Sequence, residues 1–324
     1  MIKHILSVFF LCCLALPLPA KIYDYQLYFA YTAKTSKETQ IITRKFRQDN
    51  QLFYLTVGTN DLETKIVPAQ SLPVIEVTWT DLKKKFADSA FFKVSALAAM
   101  NAKPNRDAGI TCISPSPMGI YLTIDLCPST KPLKRSLFNK IISVFGNIQK
   151  PIRLSISITG LWMQEHPADL KWILDLIKNN EISVVWLNHS FYHHYKKGLA
   201  LTRNFLLTKG TNIDKEILNT EIKMIENGII PSVFFRFPGL ISDEDIYKHV
   251  MSYGLIPIGA NAWLAKSEIP GQGGIVLVHG NGNEPLGIKK FFELLQKENI
   301  NILAKKWGLL DLCEGLHRYH HLLL

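Results

Sequence analysis

The feature that most constrains the fold is a regular alternation of strand and helix patterns that begins at Gly119. Short runs of Val, Ile and Leu alternate with longer segments whose apolar residues recur at helical spacing. The predicted strands are Ile120–Ile124, Arg153–Ile158, Ile182–Leu187, Val233–Arg236, Leu255–Ile258 and Ile275–Val278, and the predicted helices are Leu137–Val144, Ala168–Lys178, Asp214–Glu226, Asp243–Tyr253 and Leu286–Glu298. This alternation is typical of a parallel β/α sheet or barrel. The sequence therefore predicts the α/β class, with functional groups at the carboxyl ends of the strands.

The residues before Gly119 have a different, less regular pattern. Aromatic-rich runs cover Tyr25–Tyr31 and Leu52–Val57, followed by a strand-like Val74–Thr78 and a helix-like Asp81–Phe86. The stretch 101–118 contains three prolines and few apolar pairs, which is typical of a connection. We therefore expect a smaller α+β region at 21–117, with no assigned role, followed by one domain at 118–324.

The first twenty residues have the organisation of a secretory signal peptide. Lys3 and His4 precede an apolar run from Ile5 to Leu18, and Ala20 is a small residue before the expected cut. A membrane anchor is the alternative, but the run is shorter than the roughly 20 residues that a spanning helix needs. We expect residues 1–20 to be cleaved and the mature protein to be secreted or periplasmic.

The charge and the cysteines of the exported chain restrict its partners. The chain has 37 Lys and Arg against 27 Asp and Glu, and loss of Lys3 with the leader leaves 36 − 27, or +9. This favours an anionic partner such as a cell-wall polymer or a membrane surface. Nucleic acid is not expected, because the basic residues are scattered and no nucleic-acid motif accompanies them. Cys112, Cys127 and Cys313 remain, so at least one thiol is unpaired, and a Cys112–Cys127 bridge stays open.

A pair of histidines follows the third predicted strand and is the strongest chemical signal. His189 and His193 are four residues apart, so a helical turn at this point would project both imidazoles from one face. Two imidazoles on one face can ligate a divalent metal. A surface pair without function is the alternative for such a spacing taken alone.

Three more polar residues stand at the ends of other predicted strands. Asp125 could be a general base, a metal ligand or the cap of the next helix. Arg236 keeps its charge and can therefore orient a carboxylate. His279 stands among glycines, where an acid–base group would be wanted, with a satisfied core histidine as the alternative.

Taken in chain order, these motifs resemble the polysaccharide deacetylase family of the NodB type, carbohydrate esterase family 4. The family pattern consists of Thr-Phe-Asp-Asp, His-Ser/Thr-x-x-His, Arg-x-Pro, a Trp-bearing segment and Leu-x-His. The corresponding positions are Thr123–Asp125, His189–His193, Arg236–Pro238, Trp263 and Leu277–His279. The resemblance covers the second predicted domain and none of the first.

One position departs from the family pattern and affects the metal site. The second Asp, a usual metal ligand of the family, is Leu126 here. The third protein ligand therefore stays open: Asp125 could bind the metal itself or act as the base, and a water could complete the shell. A thiolate ligand, Cys127, is disfavoured because it precedes a proline in a family that uses oxygen and imidazole.

The resemblance implies a distorted (β/α) barrel that hydrolyses N-acetyl or O-acetyl groups of a sugar polymer. It implies that His189 and His193 hold a divalent metal, zinc foremost, with Co, Ni or Mn as alternatives. In the same mapping Asp125 is the base that activates the attacking water, Arg236 holds Asp125 ionised and aimed, and His279 protonates the leaving group.

The same mapping implies apolar walls around the acetyl methyl group. Trp263, Leu277 and Pro238 are the residues expected to contact substrate, with a core role as the alternative. Two other functions also stay open. A carbohydrate-binding protein that has lost catalysis is favoured by Leu126, and a metal-dependent hydrolase of a small amide would need a closed pocket in place of a groove.

Overall fold

The computed structural model describes residues 21–32, 39–102, 106–114 and 116–320. The expected signal peptide at residues 1–20 lies outside the described residues. The described residues form two β-sheets, one antiparallel and one parallel. No helix in this described part is long and apolar enough to cross a bilayer.

The antiparallel sheet is built by the first part of the chain in the strand order β4-β3-β2-β1-β5. Its strands are β1 (Ile22–Thr32), β2 (Gln40–Gln48), β3 (Gln51–Gly58), β4 (Thr64–Pro68) and β5 (Val74–Glu76), and they are followed by the helices α1 (Trp79–Lys85) and α2 (Ala90–Met100). The aromatic-rich runs, to which the sequence pattern assigned no element type, lie in β1 and β3. Strand β2 was not predicted, because Arg44, Lys45 and Arg47 interrupt its apolar alternation.

The parallel sheet follows, in the order β10-β9-β8-β7-β6-β12-β11, with β13 beside β6. Its elements are β6 (Gly119–Leu126), α3 (Arg135–Phe145), β7 (Ile152–Ile158), α4 (Gly160–Glu165), α5 (Pro167–Lys178), β8 (Ile182–Asn188), α6 (Ile213–Glu226), β9 (Phe234–Phe235), α7 (Glu244–Ser252), β10 (Ile256–Pro257), β11 (Ala262–Trp263), β12 (Ile275–His279), α8 (Pro285–Lys297), α9 (Asn299–Leu303), β13 (Gly308–Leu309) and α10 (Leu312–His320). All neighbouring strands of this sheet pair in parallel. The predicted α/β class is confirmed.

The sheet curves into a distorted barrel that is completed by part of the connecting segment. Ile110 forms a parallel bridge with Ile258, and Cys112 forms an antiparallel bridge with Gly274. Residues 110–112 therefore lie between the end of β10 and the start of β12. The prolines of the segment had predicted a connection, and its Ile110–Cys112 portion also pairs with residues on both sides. The Cys112–Cys127 bridge is not formed, since both thiols are free.

Apolar clusters cover both faces of the parallel sheet, as expected for strands that are near-continuous apolar runs. One cluster packs even-numbered residues of β6, such as Ile124 and Leu126, against α3, α5 and α8. A second cluster joins Ile41 of the antiparallel sheet to Phe91 of α2 and Ile275 of β12. The two sheets thus share a core. The domain boundary at residues 117 and 118 stays a prediction.

Candidate active site

The register of the parallel sheet brings the predicted polar residues to one edge. His279 pairs in register with Asp125, and Asp125 pairs with Ser157. His189 and Arg236 directly follow the ends of β8 and β9. Four predicted site residues, Asp125, His189, His193 and His279, line one cleft of about 800 Å³. The expectation that the strand ends converge is therefore met by the geometry.

The histidine pair is positioned by a loop and not by a helix. Strand β8 ends at Asn188, and the residues that follow form no helical turn. Ser190 and His193 adopt positive φ angles of 67° and 50°, which fold the loop back on itself. The two imidazole rings lie 4.9 Å apart between centroids. The residues after β8 therefore form no helical turn of the kind that the spacing suggested, but the His189 and His193 rings still lie close together.

A buried acid of α6 holds the histidine loop in this shape. The Oε2 atom of Glu216 accepts hydrogen bonds from the backbone N–H groups of Phe191 and Tyr192, at 2.8 and 2.9 Å. The Asn188 side chain accepts from the N–H of Ser190 and donates to the carbonyl of the helical Ile217. Sequence reasoning missed Glu216, because an acid in the first turn of a helix ordinarily faces water.

His189 presents one ring nitrogen to the cleft in a defined state. Its Nδ1 lies 2.8 Å from the carbonyl oxygen of Arg236, and only a protonated Nδ1 can bond a carbonyl. Burial lowers the pKa of His189 to about 4, so the ring is neutral near neutral pH. Its Nε2 therefore carries a lone pair, 3.5 Å from the Cys127 sulfur and 3.8 Å from Oδ2 of Asp125.

Cys127 lies in the cleft beside the histidine pair, contrary to its low ranking from sequence. One ligand atom from each of Cys127, His189 and His193 lies within 4.8 Å of the others. Burial opposes ionisation of the thiol, but His193 and His279 lower the pKa of Cys127 to about 7. Because side chains alternate along a strand, the residue two positions after Asp125 faces the same side. That alternation was the signal available in the sequence.

Asp125 and Arg236 form a buried ion pair at the back of the cleft. Arg236 Nη1 lies 3.5 Å from Asp125 Oδ1, and Arg236 Nη2 donates to the Gly259 carbonyl at 2.9 Å. Burial would raise the pKa of the Asp125 carboxyl, but Arg236, His189 and His279 together lower it. Asp125 is therefore ionised, as a general base must be.

His279 is paired with an acid that sequence reasoning missed. Its Nδ1 lies 2.8 Å from Oε2 of Glu284, and Glu284 also accepts a hydrogen bond from Trp263 Nε1 at 2.6 Å. Burial lowers the pKa of His279, but Cys127, Glu284 and Asp125 raise it well above the ordinary value. These neighbours therefore favour the protonated form of His279. Glu284 lies in a glycine- and asparagine-rich loop, so nothing in its spacing linked it to a histidine.

The three residues expected to contact substrate occupy different places. Trp263 and Leu277 line the cleft and belong to one small apolar cluster. Pro238 is buried, and the cleft wall at this point is formed by Gly239 and Leu240. The two residues after the Arg-x-Pro segment, and not Pro238 itself, therefore line the cleft.

Among the structural neighbours are carbohydrate esterases of family 4. A family 4 pseudoenzyme from Bacillus anthracis is 15% identical, with a TM-score of 0.45 over 65% of this chain and 69% of that chain. A family 4 carbohydrate esterase from Bacillus anthracis is 17% identical, with a TM-score of 0.45 over 68% and 90% of the two chains. A family 4 carbohydrate esterase from Streptomyces lividans, in complex with acetate, is 17% identical, with a TM-score of 0.40 over 59% and 91%. No protein-family model matches the chain.

Proposed function

We propose that this protein is a metal-dependent hydrolase that removes acetyl groups from an acetylated glycan. The observation that carries the proposal is the grouping of a carboxylate, two adjacent imidazoles that could hold a metal and a further imidazole around one cleft. Asp125, His189, His193 and His279 all line it. Hydrolysis of an amide or ester needs a base for water, an acid for the leaving group and a cation near the carbonyl oxygen. The cleft supplies groups suited to each task.

The donor set fits a divalent metal of the zinc class. His189 has its Nε2 lone pair directed into the cleft, and His193 lies beside it. Imidazole ligands suit zinc, and Co, Ni or Mn remain alternatives. When bound, such a cation polarises a carbonyl and lowers the pKa of water.

Asp125 and His279 divide the proton transfers in this proposal. Asp125 accepts a proton from the water that attacks the acetyl carbonyl, while Arg236 keeps the carboxylate charged and oriented. His279 donates a proton to the leaving nitrogen or oxygen, and Glu284 supports its protonated form. The acyl C–N or C–O bond breaks, a C–O bond to water forms, and acetate leaves.

The rim of the cleft favours a sugar polymer over a small amide. Tyr192 and Tyr195 line the cleft and are 48% and 62% exposed, so their rings are available to stack on sugar faces. A closed pocket for a small amide would bury its lining aromatics. The proposed substrate is therefore a glycan that carries N-acetyl or O-acetyl groups.

Leu126 had favoured a carbohydrate-binding protein without catalysis, and its environment weakens that alternative. The Leu126 side chain is fully buried in the apolar cluster behind the sheet, whereas Asp125 and Cys127 face the cleft. Leucine at this position therefore leaves no missing group in the cleft. We also propose export of the mature protein, on the strength of the leader pattern.

The proposal is tested by acetate release from peptidoglycan, chitin oligomers and acetylxylan, with metal content measured on the same sample. We expect one divalent ion per chain and acetate from at least one of these glycans. A folded, metal-loaded protein that binds one glycan but releases no acetate from any would support the binding-protein alternative.

A further inference from the structure

Cys127 is buried in the cleft and has no task in the proposed hydrolysis. It lies on the loop that leaves β6, two residues after Asp125 and on the same face. Its sulfur is 3.5 Å from Nε2 of His189. The thiol and the imidazole lone pair are close enough for one cation to take both as ligands.

The position of Cys127 is fixed by its neighbours. The Asn281 side chain is fully buried and donates from Nδ2 to the Cys127 carbonyl at 2.6 Å. Pro128 restricts the backbone conformation of the residue before it. The thiol is therefore held in place without help from a cation, and little chain entropy is lost when a metal binds.

Asp125 is held away from the role of third ligand. Its Oδ1 faces Nη1 of Arg236 at 3.5 Å. Its Oδ2 lies 3.8 Å from His189 Nε2, but the carboxylate does not join the set of mutually close ligand atoms from Cys127, His189 and His193. Arg236 holds this carboxylate ionised, and the close set of ligand atoms is complete without it.

We propose that the Cys127 thiolate is the third protein ligand of the metal, together with His189 and His193. This inference rests on the metal site of the proposed function and gives it a Cys/His/His donor set in place of a carboxylate with two histidines. Three nitrogen and sulfur ligands with one open position are typical of catalytic zinc. A thiolate favours zinc and cobalt over the harder magnesium and manganese ions. Asp125 is thereby left free as the base.

The test replaces the metal with cobalt, whose bond to a thiolate gives a charge-transfer band in the near ultraviolet. We expect the wild-type protein to bind one Co²⁺ per chain and to show this band. Cys127→Ser should lose the band and weaken metal affinity by about 100-fold or more, since loss of an outer-shell partner alone costs about 10- to 100-fold. Cys112→Ser is the matched control, because Cys112 is a free thiol outside the cleft. It should keep both the band and the affinity.

A second measurement needs no substitution and so does not depend on a folded variant. X-ray absorption at the zinc edge of the wild-type protein should show one sulfur at about 2.3 Å with nitrogen neighbours at about 2.0–2.1 Å. A shell of nitrogen and oxygen alone, or a cobalt band that persists in Cys127→Ser, would overturn the proposal.

The outcomes separate this inference from the proposed function. A protein with sulfur in its metal shell that releases no acetate would retain the thiolate site and lose the deacetylase. A protein that releases acetate with a metal shell free of sulfur would retain the deacetylase and lose the thiolate site.

Discussion

Two buried arginines, one in each sheet, differ in how completely their side chains are hydrogen-bonded. Arg44 of the antiparallel sheet donates to both carboxylate oxygens of Glu221 and to the carbonyls of Thr43 and Tyr253. The side chain of Arg236 in the parallel sheet makes one hydrogen bond, and its Nε and Nη1 have no hydrogen-bond partner among the described residues. Both side chains are almost fully buried. The difference therefore lies in the completeness of their partners and not in their exposure.

Incomplete partners mark the region where a ligand or substrate is expected. Buried polar groups are ordinarily satisfied, because an unpaired one costs about 1–3 kcal/mol. Oδ1 of Asp125 shares this condition with Arg236, and it lies at the carboxyl edge of the parallel sheet. The Arg44–Glu221 pair joins the antiparallel sheet to α6. All three guanidinium nitrogens of Arg44 donate hydrogen bonds within the protein. One buried pair is structural, and we propose that the other is arranged for chemistry.

The largest change in rate is expected from His279→Ala, at the carboxyl edge of the parallel sheet. Loss of a general acid typically costs about 100- to 10,000-fold in rate. Deacetylation of an amide should suffer this loss, because its leaving nitrogen needs a proton. An activated acetate ester, whose leaving group departs without a proton, should be affected far less. Equal losses on the two substrates would assign His279 to structure or to metal binding.

On the structural side, Arg44→Met should lower the free energy of unfolding by about 3–5 kcal/mol, because it leaves Glu221 buried without its partner. Chemical denaturation measures this change. The double variant Arg44→Met with Glu221→Leu should recover much of the loss. The rate per folded molecule should stay at the wild-type value. A fall in rate at unchanged stability would break the division between the two regions.

Leu126→Asp tests whether the departure from the family pattern is a lost metal ligand or a core residue. Because Leu126 is fully buried among apolar side chains, an acid there should cost about 2–5 kcal/mol of stability without improving metal affinity. Leu126→Met serves as the control and should cost less than about 1.5 kcal/mol. Tighter metal binding by a stable Leu126→Asp protein would restore the lost-ligand interpretation.

The smallest expected effect concerns Glu284, which supports the protonated state of His279. Its side-chain interaction with His279 contributes to the raised pKa of His279, so activity that needs protonated His279 falls as the pH rises through that pKa. In Glu284→Gln the pKa of His279 falls, and the alkaline limb of the rate profile should move to lower pH. At neutral pH we expect a loss of about 10-fold, equivalent to about 1.4 kcal/mol. If the alkaline limb does not move, Glu284 does not support the protonated state of His279.

The sequence was sufficient for six of the eight strands that the described residues contribute to the parallel sheet, and for polar residues that end them. Strands buried on both faces are apolar runs, and a polar residue that ends such a run, such as Asp125 or His279, stands out against it. Strand β2 escaped prediction because its buried Arg44 depends on Glu221, which lies far along the chain. Glu216 and Glu284 were missed for the same reason, since their hydrogen-bond partners become neighbours only after folding.

The central claim is that the incompletely paired groups at the carboxyl edge of the parallel sheet perform hydrolysis. The most direct measurement is acetate release from an N-acetylated chitin oligomer by wild-type protein and by Asp125→Asn, both at equal metal occupancy. The amide introduced by this substitution keeps the shape of the side chain but cannot accept the proton. We predict acetate from the wild type and a loss of about 100- to 10,000-fold in the variant. Equal acetate release by the two metal-loaded proteins would contradict the account.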